Sequence, residues 1–257
     1  MAVDRLFTFS LADLPVPLEL MAPGHDPADL GPLPVGTILA HAPEGWFLFD
    51  VGLSVDFREQ EIWEPLFPWG APVLPGNGDP LLDALAACGV TPGEIAGVAL
   101  SHTHSDHTGG LRHFSGTGTP VYIQAAELEF ARSGRGAPHV VARDFEPYDL
   151  NLRALDGETE IATGILAIPS PGHTPGHQSF LLTLASGDRY LFAYDALPLT
   201  ENLERDVVTS IVTLEPAVAR ASQDTLVQRA ADAGARIVPG HCPRAWAALP
   251  VPPTALS

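Results

Sequence analysis

Positions 102–107 read His-Thr-His-Ser-Asp-His, one residue beyond the apolar run IAGVAL at 95–100. Four metal ligands packed into six residues restrict the fold more than any other stretch of the chain. At the extended end of a strand, residues two apart point the same way, so His102 and His104 can address one cation together. Asp106 and His107 sit on the turn beyond and can reach a second. Imidazole with a hard carboxylate suits Zn²⁺, or sometimes Mn²⁺ or Fe, and the motif offers no thiolate. Thr108, Gly109 and Gly110 follow, small residues that let the backbone turn closely into a helix.

Four ligands do not complete two metal sites, so more His and Asp are expected at strand ends downstream. His173 lies in PSPGHTPGH after an apolar strand, Asp195 ends RYLFAYD (189–195) and His241 ends ARIVPGH (235–241). Each closes an apolar strand, as a site at one edge of a sheet sandwich requires.

The rest of the chain supplies the sandwich. TILAHAPEGWFLFDVG (37–52) reads as a hairpin. DPLLDALAACGV (79–90) reads as a helix with Asp79 as N-cap, Pro80 at its first position and Gly89 closing it. VYIQAAELEFARS (121–133) reads as strand into helix, 150–185 as short strands with turns, and EPAVARASQDTLVQRAADAG (215–234) as a helix. This order, with no internal repeat and no flexible linker, predicts a layered α/β sandwich and a single domain over 1–257. The Pro- and Gly-rich segment 57–80 is expected to lack regular structure, yet Trp63, Leu66, Phe67 and Trp69 make it too apolar for a plain solvent loop. It reads as a lid, a partner surface or both, and a homodimer contact is one expectation.

Composition removes several function classes. The net charge is −18 and all the basic residues are Arg, the wrong sign for nucleic acid or an anionic membrane surface. Two cysteines, Cys88 and Cys242, are too few for a disulfide framework and suit a reducing compartment. The N-terminus lacks a basic start with an uninterrupted apolar run, and no stretch approaches the roughly 18 apolar residues of a membrane span. A cytoplasmic protein is expected.

Taken in order, HTHSDH, PGHTPGH, YDA and VPGH resemble the motifs of the metallo-β-lactamase superfamily, over roughly residues 35 to 245. That resemblance implies a four-layer αββα sandwich. It implies that His102, His104 and His173 bind one metal, that Asp106, His107 and His241 bind a second, and that Asp195 bridges them, most simply as two zinc ions. Asp50, in LFDVG, matches the early strand-end Asp that supports the site from behind. His25, His41, His113 and His139 read as structural. His177 reads as a hydrogen-bonding member of its turn, and strand alternation turns Cys242 away from the metal.

Two cations about 3.5–4 Å apart can share a hydroxide and polarise the carbonyl that it attacks. By the resemblance, Asp106 also passes a proton to the leaving oxygen. PGHTPGHQSFLL, the spacing from His173 to Asp195 to His241, DALPLTENLE (195–204) and the apolar insertion are similar to the N-acyl-homoserine lactonases, so opening of a lactone ring is the expected reaction. Trp63, Phe67 and Trp69 are then candidates for the wall that takes the acyl tail. The chain departs from those lactonases at Pro198, where they carry a substrate-contacting Tyr, and at Ser105, where an aromatic is common. Other ester or thioester hydrolysis, a phosphodiesterase and a non-catalytic metal-binding module are the alternatives.

Overall fold

The structure is a computed structural model, and it describes residues 2–209, 213–252 and 254–257. Six strands form one sheet in the order of the chain: β1 (Arg5–Pro17), β2 (Leu30–Ala42), β3 (Gly45–Phe49), β4 (Ile95–Ala99), β5 (Pro120–Gln124) and β6 (Asn151–Leu155). Five form the other: β7 (Thr159–Ala162), β8 (Ile165–Pro169), β9 (Gln178–Thr183), β10 (Arg189–Tyr194) and β11 (Arg236–Pro239), with β11 beside β10 at one edge and β7 at the other. Pairing is antiparallel from β1 to β3 and parallel from β3 to β6. In the second sheet only β10 and β11 run parallel.

Alternation along single strands explains why the sheets stack. In β3, Phe47 and Phe49 enter the core between the sheets, while Leu48 packs on the opposite face against Leu81 and Leu85 of the helix Pro80–Ala87. In β10, Phe192 and Tyr194 face that same central core, whereas Leu191 and Ala193 meet Leu226 and Ala230 of the helix Pro216–Ala233. A period-2 strand buried on both faces needs a layer on each side, and here these are helix, sheet, sheet and helix. Phe49 and Phe180 tie the two sheets together, edge to face at 4.9 Å between centroids. The expected αββα sandwich is the observed architecture.

The helix at 80–87 starts as its sequence predicts. The Asp79 carboxylate accepts the Leu81 and Leu82 N–H groups. Segment 57–80 differs from expectation, because helical turns at Val55–Arg58 and Gln60–Trp63 occupy its start. The first proline of the segment is Pro65, so no proline ring obstructs a turn at 60–63. Among the described residues, no helix is long and apolar enough to cross a membrane.

Candidate metal centre

Every candidate ligand follows the end of a strand, and the ends lie on one side of the sandwich. Asp50 follows β3, the 102–107 motif follows β4, His173 follows β8, Asp195 follows β10 and His241 follows β11. The turn carrying the motif is a single helical turn, Ser105–Thr108. It is pinned to the chain after β3 by Val51 N–H to His107 O (2.9 Å) and Gly109 N–H to Gly52 O (2.8 Å). A Cβ at Gly109 would stand 1.9 Å from the Ser54 nitrogen, so only glycine permits this approach.

Three groups of side chains converge, each with ligand atoms within 4.8 Å of one another: His102, His104 and His173; His102, His107 and Asp195; Asp106, His107 and His241. Nδ1 of His104 lies 3.0 Å from Nε2 of both His102 and His173. Asp195 divides its two oxygens between the clusters. Its Oδ2 faces His173 Nε2 at 3.3 Å, while its Oδ1 faces His241 Nε2 at 3.0 Å and His107 Nε2 at 3.4 Å. Asp106 Oδ2 lies 3.3 Å from His107 Nε2 and 3.7 Å from His241 Nε2. Six of the seven side chains are buried, and Asp106 is half-buried.

The outward ring nitrogens decide what the inward ones can do. His107 donates through Nδ1 to Asp50 Oδ2 (2.7 Å), His102 through Nδ1 to Ser101 Oγ (2.9 Å), and His241 through Nδ1 to the Pro34 carbonyl (2.9 Å). Each Nε2 is thereby aimed inward, the orientation a metal ligand needs. Nε2 of His107 is buried with no hydrogen-bond partner among the described residues. Buried ring nitrogens turned toward one another and faced by two carboxylates form a donor set that fits cations.

Charge follows the same division. Burial holds His102 and His104 well below the ordinary imidazole value and brings His173 down to about 4. Burial opposes the charged form of His107 too, but Asp106, Asp50 and Asp195 together raise it well above that value. Burial would lift Asp195, yet His241, His107 and His173 keep it ionised, well below the usual carboxylate range. His241 is likewise raised by Asp195 and Asp106 against its burial, so two of the imidazoles facing the carboxylates hold protons that divalent ions bound there would displace.

Two backbone positions beside the site are strained. Asp50 and Tyr194 both take positive φ, 51° and 47°, at a cost of order 1–3 kcal/mol each. Gly240, just before His241, lies against Tyr194, where a Cβ would meet the Tyr194 carbonyl carbon at 2.6 Å.

Behind the ligands lies a residue that sequence reasoning missed. Glu127 is fully buried in the first turn of the helix Ala125–Arg132. Its Oε1 accepts the Thr103 N–H (2.9 Å) and hydroxyl (2.7 Å), and its Oε2 accepts the Thr174 hydroxyl (2.7 Å) and Gly176 N–H (3.0 Å). One carboxylate thus joins the loop carrying His102 and His104 to the loop carrying His173. Nothing in AAELEF marks that position, since a Glu near a helix start ordinarily reads as solvated.

A cavity opens beside the ligands. Leu14 and Val16 of β1, Met21, and Leu66, Phe67 and Trp69 of segment 57–80 form its apolar wall, and His104, Asp106, His173, Asp195 and His241 its floor. Phe67 and Trp69, two of the three candidates for an acyl-tail wall, line this cavity. Trp63 packs instead against the core that includes Phe57 and Phe67, because the turn at 60–63 directs it away from the cavity. His139, expected to be structural, lines the cavity beside Ser105 and Asp106.

Pro198 accepts the His241 N–H through its carbonyl (2.8 Å), and the buried Tyr194 donates to the Phe49 carbonyl (3.3 Å) instead of facing the cavity. His177 hydrogen-bonds Ser170 Oγ at 2.8 Å, closing its turn as expected. Cys242 is directed away, 3.0 Å from the Thr200 hydroxyl.

The sequence model of the metallo-beta-lactamase superfamily matches residues 30–241. An N-acyl homoserine lactonase of a Bacillus species is 32% identical over 184 residues, 70% of this chain and 71% of that one. A crystal structure of a Bacillus thuringiensis AiiA variant with N-decanoyl-L-homoserine at its active site superposes with a TM-score of 0.89, at 25% identity and over 100% of both chains. A second solved structure, an N-acyl homoserine lactone hydrolase with the product N-hexanoyl-L-homoserine at its catalytic metal centre, matches with the same score, identity and coverage.

Proposed function

Because the chain belongs to the metallo-beta-lactamase superfamily, we propose that it is a dinuclear metallohydrolase that opens the lactone ring of N-acyl homoserine lactones. The observation that carries the reading is the division of Asp195 between two clusters, with Oδ2 toward His173 and Oδ1 toward His107 and His241. In this reading His102, His104 and His173 hold one ion, Asp106, His107 and His241 hold the other, and Asp195 spans both. Zinc is the proposed metal, since imidazole and carboxylate donors without thiolate suit it.

Ions held there supply Lewis acidity to the ester carbonyl and ease the ionisation of water near neutral pH. The chain's own residues do the rest. Asp50, Ser101 and the Pro34 carbonyl fix the ring orientations and aim the inward nitrogens at the ions. Asp106 borders the cavity, so its carboxylate can take the proton that the attacking water releases and hand it to the ring oxygen as the C–O bond breaks. Leu14, Val16, Met21, Leu66, Phe67 and Trp69 offer the apolar surface that an acyl tail needs. The two relatives bound to acyl-homoserine products support this substrate class. Two free thiols suit a reducing, cytoplasmic setting.

The test is incubation of the metal-loaded protein with N-acyl homoserine lactones of several tail lengths while acid release is followed. Turnover that rises with tail length supports the reading. Turnover of a phosphodiester or thioester with none of any lactone overturns it.

A further inference from the structure

Outside the candidate ligands, the cavity wall holds, among the described residues, only two side chains with strongly polar groups, Ser105 and His139, beside otherwise apolar neighbours. Ser105 is buried under its own turn, 2% exposed. His139 is half-buried, its ring centroid 5.8 Å from that of His104, and its ring nitrogens form no hydrogen bond with any described residue.

The backbone around this imidazole is fastened on both sides. The His139 carbonyl accepts the Ser105 N–H at 3.0 Å, and the next residue, Val140, donates its N–H to Gly136 O at 2.9 Å. The ring is thus held at the mouth of the ligand cluster with its hydrogen-bonding capacity unspent.

An acylamino lactone brings two polar groups into such a cavity, the ring ester and the side amide. The ester is accounted for by the candidate metal centre. An amide carbonyl entering against leucine, valine and phenylalanine would lose its water without replacement, which is unfavourable.

We propose that His139 recognises the substrate amide, donating a ring N–H to the acyl carbonyl, and so selects acylamino lactones over plain alkyl lactones. The proposal rests on the lactonase reading above and adds the group that sets its specificity. A neutral imidazole always carries one N–H donor, so one tautomer suffices.

The test compares kcat/KM for N-octanoyl homoserine lactone with that for γ-dodecalactone, whose eight-carbon side chain has no amide. It uses the metal-loaded protein, His139→Ala and His139→Gln. The ratio of the two values should fall about ten-fold in His139→Ala, mainly through KM, and recover in part in His139→Gln, which keeps a donor. Metal content per chain, measured on the same samples, should match the unaltered protein.

An equal loss on both lactones, an unchanged ratio, or loss of metal on replacing His139 overturns the proposal. If the unaltered protein opens neither lactone, the lactonase reading falls first and this one with it.

Discussion

Asp50 Oδ2 lies 2.7 Å from Nδ1 of His107, across 57 positions of sequence, while its Oδ1 takes the Ser101 N–H at 2.7 Å. A strand-end carboxylate of the first sheet thereby sets the tautomer of one candidate ligand and the path of the chain leading to two others. Burial pushes the Asp50 carboxyl up, while His107 and Ser101 pull it down.

Asn cannot replace Asp50, because its amide has one acceptor and both oxygens of the acid face donors. Asp50→Asn should weaken metal affinity by about 10- to 100-fold. Competition with a chromogenic chelator reads this directly, and an affinity equal to that of the unaltered protein would remove Asp50 from the support of the site.

Glu127→Gln should fail for the same reason. Each oxygen of Glu127 accepts two donors, one pair from each ligand loop, so an NH₂ group in either place meets an N–H and a hydroxyl head on. Unpaired buried donors cost about 1–3 kcal/mol. Urea denaturation of the metal-free protein should show the drop, which separates loop fastening from any effect of the ions themselves.

Asp195→Ala removes the carboxylate shared by the two clusters. Metal content should fall below two ions per chain, and kcat/KM for the lactone by on the order of 10³, the worth of several kcal/mol of lost Lewis-acid stabilisation. Elemental analysis alongside kinetics checks both halves. Full metal content with full activity would mean that the second cluster is held without it.

Asp144 gives a pH dependence away from the ligands. Burial raises its carboxyl to about 7, against smaller opposing effects from Arg143 and the Thr108 hydroxyl. In the unfolded chain the group ionises near 3.8. Between these values the unfolded state binds fewer protons than the folded one, so this contribution is fully present at acid pH and is lost as pH rises toward 7. The loss is at most about 4 kcal/mol. Asp144→Asn should flatten the slope of Tm between about pH 4 and 7, and an unchanged slope would assign it to other groups.

The seven candidate ligands are legible because they follow the ends of apolar strands and their order is a family signature. The strands that bring a wall and a carbonyl to them are not. β1 and the first half of β2 carry Pro15, Pro17, Pro32 and Pro34, which argues against a strand from sequence alone. The structure tolerates them because β1 is an edge strand and β2 pairs with β3 only from Ile38 onward. His139 and Glu127 were hidden for another reason. Their importance lies in what other segments place against them, and no local pattern records that.

His241 is oriented by the Pro34 carbonyl, a group every amino acid possesses. Replacing the side chain at position 34 would leave that oxygen where it is, so a mutational scan would score the position as silent. Inserting or deleting one residue between 30 and 34 is different, because neighbouring carbonyls on a strand point in opposite directions. For this part of the protein, the number of residues constrains the site more than their identity does.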